Sequence, residues 1–201
     1  MTRAVHYSKQ YLVAHAVMMR CLLLCLLCTT WVVQAHADNP APPAHIQQSL
    51  PQAKLSGEGS FRWFGLKIYD AKLWIGDRGL NTADLHSTPF ALNLRYARSL
   101  KGKKIADASS EQIQKLGLGS SEQRTTWQVR MEQLFPDVED GSNLTGLYLP
   151  NEGTRFYLDG KLLGTIADAD FANAFFAIWL SPSTSAPQLR DALLLNTRPT
   201  R

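Results

Sequence analysis

The sequence predicts an α+β fold resting on an antiparallel sheet, and three observations carry that expectation. Segments of apolar–polar alternation occur in neighbouring pairs separated by short turns, with Asp159-Gly160 the clearest two-residue hairpin signal. Segments of helical spacing come in two pairs, one between residues 101 and 136 and one after Asp168, rather than after every strand. Strands joined mainly by hairpins run antiparallel, because a parallel pair needs a long crossover.

Taken in order, the first 37 residues stand apart. Arg3, Lys9 and Arg20 precede the uncharged apolar run Cys21–Val33, and Ala35-His36-Ala37 follows it with the small residues a signal peptidase accepts. Thirteen residues are short for a bilayer span, so a secretory signal cleaved after Ala37 is expected. The mature chain is then periplasmic or secreted, with no stable membrane span. Residues 38–52 contain four prolines and read as an extended, mobile lead-in to a domain over 53–201.

Within that domain Phe61, Trp63, Leu66, Ile68, Ala71, Leu73 and Ile75 alternate with polar residues, with phase slips near Phe64-Gly65 and near Tyr69 that suggest bulges or a bend. Phe90–Ala97 alternates without a slip and reads as a half-buried strand. A helix is expected over Lys103–Leu116, with Gly117 free to take the left-handed position after it. Ser120 and Gln123 form a capping-box signal for a second helix, whose apolar stripe is Trp127, Met131, Leu134 and Phe135 and which Pro136 ends. Strands follow at Leu144–Leu149, Thr154–Leu158 and Lys161–Ile166. Asp168 is placed to cap a helix carrying Phe171, Phe175, Ile178 and Trp179, and Pro187 begins a last short helix.

Composition narrows the chemistry. The 201 residues carry a formal charge of +4, but three of the basic side chains leave with the signal, and 18 basic then face 17 acidic groups. Nothing in that balance attracts nucleic acid. All three cysteines leave too, so the mature chain forms no disulfide and offers a metal only His45 and His86 as nitrogen ligands. No cofactor is expected, since neither a phosphate-cradling loop nor a dinucleotide fingerprint occurs. Asp137, Glu139 and Asp140 fit a solvated turn or, less commonly, a hard-cation site. Lys101, Lys103 and Lys104 could meet an anion at a helix start or simply be solvated. Arg62, Lys67, Tyr69, Arg95 and Tyr96 alternate with core positions on the strands. Two readings stay open for the arginines: ordinary surface groups, or cations on a covered face that need an anionic or carbonyl partner.

Several stretches bear a family likeness. Gly59-Ser-Phe-Arg62-Trp-Phe-Gly-Leu-Lys-Ile-Tyr69-Asp-Ala-Lys-Leu-Trp74 resembles the opening strands of bacterial chalcone isomerase-like proteins. So do Phe90–Tyr96, Trp127 with Phe135-Pro-Asp-Val138, Gly141-Ser-Asn-Leu-Thr-Gly146 and, most of all, Asp170–Leu180. The likeness spans about Leu55 to Leu194. It implies an open-faced β-sandwich, an antiparallel sheet covered by a layer of helices, with a ligand cleft between them.

Plant chalcone isomerases close a flavanone ring by adding a phenolate to an enone, helped by an arginine, a tyrosine and a lysine. Related fatty-acid-binding members hold a carboxylate with an arginine and a tyrosine. The resemblance implies that Arg62 occupies the position of the family arginine, that Gln112 stands where plant members have an asparagine, and that Tyr96 or a neighbour replaces the lysine. Ile105 lies where the catalytic tyrosine would be. Loss of that donor costs on the order of a hundredfold in rate. The implied function is therefore binding of a small apolar or fatty-acid-like ligand with an anionic or carbonyl head, with Arg62, Tyr69, Arg95, Tyr96 and Gln112 as candidate contacts. The alternatives are an isomerase of the chalcone isomerase type and a scaffold whose cleft is filled by its own side chains.

Overall fold

One six-stranded sheet organises the molecule, in the order β1-β2-β3-β4-β5-β6 with every neighbouring pair antiparallel. It is seen in a computed structural model, which describes residues 40–82, 84 and 87–197; the expected signal segment and His86 lie outside them. The strands are β1 (Lys54–Trp63), β2 (Leu66–Ile75), β3 (Phe90–Tyr96), β4 (Asn143–Leu149), β5 (Gly153–Leu158) and β6 (Lys161–Ile166). A short helix, α1 (Ala44–Ser49), precedes them; α2 (Gly102–Lys115) and α3 (Ser121–Leu134) separate β3 from β4, and α4 (Ala169–Leu180) and α5 (Pro187–Leu193) follow β6. The fold class is the one expected, an α+β sheet with α2 to α5 packed on one side.

The local signals act as their chemistry requires. The Ser120 hydroxyl accepts from the Gln123 backbone N–H at 3.2 Å while the Gln123 side chain accepts from the Ser120 N–H at 2.8 Å. Asp168 caps α4 by accepting from Phe171 N–H at 2.9 Å, and its other oxygen takes the Trp127 indole N–H at 2.8 Å, tying α3 to the start of α4. Asp159 and Gly160 both have positive φ (48° and 83°), the mirror-image turn that joins tightly twisted strands.

Strand alternation sends Leu73, Phe90, Leu92, Leu94 and Phe156 to the helix side, where they meet Phe171, Phe175, Phe176 and Trp127. Ring contacts there are close and mostly edge-on, such as Phe90–Phe176 at 4.6 Å and Phe156–Phe175 at 5.3 Å. Helix α5 lies directly on β1, so closely that a Cβ at Gly57 would come within 2.0 Å of the Ala192 carbonyl oxygen.

One expectation needs correcting. The lead-in is not extended throughout: α1 buries Ile46 and, just past its end, Leu50 against Trp74, Ala91, Leu147 and Tyr157 on the other side of the sheet. The i, i+4 spacing of those two residues was the signal, masked by the surrounding prolines. The phase slip expected near Tyr69 is present: Phe61 pairs with Tyr69 and Arg62 with Lys67, so Ile68 is the extra residue in β2, and a second irregularity leaves Ser56 extra in β1.

Candidate functional site

Two adjacent rungs of the β2–β3 ladder, Tyr69 opposite Tyr96 and Asp70 opposite Arg95, divide the candidate residues between the two faces of the sheet. The phenols go to the helix side. There the Tyr69 hydroxyl accepts a hydrogen bond from the Trp179 indole N–H of α4 at 3.0 Å, and the Tyr96 ring meets the Tyr69 ring edge-on at 5.9 Å. Phe61 of β1, partly exposed, stacks over Tyr69 at 5.3 Å. Burial pushes both phenols above the ordinary tyrosine range, opposed at Tyr69 by the Trp179 bond and reinforced at Tyr96 by Tyr69. Both are therefore neutral hydrogen-bond donors. Among the described residues neither phenol proton is given to an acceptor.

Asp70 and Arg95 point the other way. Burial raises the Asp70 carboxyl, but bonds from Lys67 and Ser60 and the charges of Lys67 and Arg95 outweigh it and hold the group below its ordinary value. Arg95 is exposed and has no hydrogen-bond partner among the described residues. With Lys72, Asn93 and Asn143 it lines a depression of about 620 Å³ above Trp74, walled on one side by Pro40, Ala41 and Pro43. Lys72 pairs with Glu58 at 3.1 Å across the same floor. Deeper under α1, Thr145 Oγ1 is shared by Asn93 Nδ2 at 2.9 Å and the His45 ring at 3.0 Å; burial lowers the histidine's pKa.

The remaining candidates fall outside both groups. Arg62 stands exposed at the end of β1 and donates to the Gly65 carbonyl at 3.1 Å, closing its own hairpin. The expectation that its guanidinium looks into a hollow between sheet and helices is corrected: Phe61 beside it stacks on Tyr69 on the helix side, and alternation turns Arg62 the other way, to solvent. Gln112 of α2 accepts from the Ser185 hydroxyl at 2.8 Å, holding the loop after α4. Ile105 is partly buried against the core.

The lysines near α2 find anions within the chain. Lys101 Nζ lies 2.6 Å from Asp137, which also accepts from the Gly102 N–H at 3.0 Å, and Lys103 pairs with Glu132 and Asp107. One member of the acidic turn thus serves as the anion at a helix start. What sequence reasoning missed is the open-face depression. Its signal was the shared parity of Glu58, Lys72, Asn93 and Arg95 on three consecutive strands, legible only once their register is known.

Over residues 37–195 the sequence matches the family described as chalcone isomerase-like. The chain belongs to the chalcone isomerase-like family. A Haemophilus influenzae protein described as uncharacterized is 28% identical to it over 160 residues, 80% of this chain and 73% of that protein. Among solved structures, the fatty-acid-binding protein of Arabidopsis thaliana superposes with a TM-score of 0.59, covering 73% of this chain and 88% of its own. At 11% identity that likeness concerns the fold of this chalcone isomerase-like chain. Among the described residues no helix is long and apolar enough to cross a membrane.

Proposed function

We propose that this chalcone isomerase-like protein binds a small, largely apolar molecule between the sheet and the helix layer, with the ligand's carbonyl or carboxyl head held by Tyr69 and Tyr96. One observation carries the reading: two phenol protons at the edge of an aromatic core, neither engaged by an acceptor among the described residues. An acceptor oxygen on an incoming ligand would give both hydroxyl protons a partner. Phe61 is the side chain whose displacement uncovers the phenols, because it lies over Tyr69 and is itself partly exposed. The fatty-acid-binding function named for the Arabidopsis protein of the same fold supports a long-chain carboxylate as the first ligand to try. Ile105, in place of the family's catalytic tyrosine, supports binding without efficient ring closure. The signal pattern ending at Ala37 supports export to the periplasm or beyond.

Displacement of a fluorescent fatty-acid analogue by an unlabelled long-chain carboxylate tests the site. Tyr69→Phe and Tyr96→Phe should each weaken binding by about tenfold or more, the worth of a hydrogen bond to a charged acceptor. Arg62→Ala and Arg95→Ala should leave it close to wild type. Loss of binding in Arg95→Ala with both phenol variants intact would move the ligand to the open face. Decay of a chalcone's long-wavelength absorbance above background would restore the isomerase reading.

A further inference from the structure

The turn between β1 and β2 exposes what a soluble hairpin normally hides. Trp63, Phe64 and Leu66 are 58%, 90% and 59% exposed, and they are consecutive apart from Gly65. Phe64 has φ +46°, a left-handed conformation that crowds the Cβ of a bulky residue. The other two non-glycine residues of positive φ are Asn151 and Asp159, types that suit such turns. Phe64 therefore gains nothing for the hairpin by being phenylalanine. Its ring packs on Trp63 at 5.0 Å, and a Cβ at Gly65 would meet nothing within 4 Å, so the tip stands clear of the body.

Charge indicates what the tip meets. Arg62 and Lys67 are a paired rung directly behind the apolar residues, and residues 59–69 contain no carboxylate. Lys67 is bridged to Asp70 at 2.6 Å, but that pair is well exposed and weakly held. Arg62 has only the Gly65 carbonyl. A projecting Trp-Phe-Leu wedge backed by two cations matches the interfacial layer of a bilayer with anionic headgroups, where aromatic rings sit at headgroup depth and cations meet phosphates. It is a poor match for a preformed groove on a folded partner, which would have to accommodate three divergent apolar groups on a two-residue turn.

We infer that the β1–β2 hairpin tip docks the protein on an anionic lipid surface. Docking does not require a ligand at the phenols. The test is flotation of the protein recovered from cells with vesicles of phosphatidylcholine, alone or with phosphatidylglycerol. In protein beginning at Asp38, and so without Trp31, Trp63 supplies a second readout, since Trp74, Trp127 and Trp179 are buried and brominated acyl chains would quench the exposed indole.

Wild type should float with the mixed vesicles and lose emission to the brominated lipid. Phe64→Asn, which suits the left-handed turn, combined with Trp63→Thr should weaken partitioning at least tenfold with the thermal midpoint preserved. Arg62→Gln should weaken it about fivefold, on anionic vesicles alone. Equal partitioning of wild type and the double variant, or no partitioning of wild type, would overturn the inference. So would a concentration-dependent dimer in gel filtration that the double variant abolishes, which would make the tip a self-association surface.

Discussion

The two faces of one sheet have been treated differently by the chain that folds over them. On the helix side, residues of α2 to α5 fill the space with rings, and Tyr69, Tyr96 and Trp179 form a polar group among them. On the opposite side, α1 covers one patch with Ile46 and Leu50, and the rest is a charged floor with Arg95 uncommitted. Neighbouring residues such as Tyr69 and Asp70 thus live in unlike media. The cations of the open face are stabilised by water and by Asp70 and Glu58, whereas the Tyr69 hydroxyl on the covered face meets an indole N–H and keeps its own proton for an acceptor. Of the two, the covered face is the better candidate for binding an apolar molecule, although the depression lined by Arg95 lies on the other.

That contrast can be broken most forcefully at the core. Phe156→Ala, at a fully buried ring touching Phe135, Phe171 and Phe175, should cost about 3–5 kcal/mol in urea unfolding. Ile46→Ala should cost less, about 2 kcal/mol, because the short α1 can relax over an incompletely covered face. A larger loss at Ile46 than at Phe156 would mean the open face is the true core.

Alkaline pH sharpens the comparison further. The folded phenols of Tyr69 and Tyr96 have values above the unfolded one of about 10. Their contribution is intact below that pH and is lost as the pH climbs through the unfolded value toward the folded ones. Urea midpoints should therefore fall more steeply above that pH in wild type than in the Tyr69→Phe/Tyr96→Phe variant. Tyrosinate absorbance from these two rings while the protein is still folded would argue against their burial. The smallest effect belongs to Arg62→Ala, expected within about 0.5 kcal/mol of wild type because the side chain is solvated.

Most of the architecture was legible because its signals are local. The Ser120–Gln123 box, the Asp168 cap, the Asp159-Gly160 turn and the period-two strands each depend on a few adjacent residues. The candidate site was legible only in part. Alternation along β3 separated Tyr96 from Arg95, but only the β2–β3 register put Tyr69 with the one and Asp70 with the other, so the five candidates expected around one ligand divide between two faces. Arg62 was misjudged because it follows Phe61, whose ring stacks on Tyr69 on the helix side, so alternation along β1 sends Arg62 to the other face. Helix α1 was hidden by prolines whose own geometry permits a helix to start just after Pro43.

A crystal structure with a bound long-chain carboxylate tests the placement of the ligand most directly. The account predicts its oxygens within hydrogen-bonding distance of the Tyr69 or Tyr96 hydroxyl, with Phe61 swung aside and the chain between sheet and α4. Electron density for the same molecule lying across Arg95 and Asn143, with Phe61 still seated on Tyr69, would contradict it.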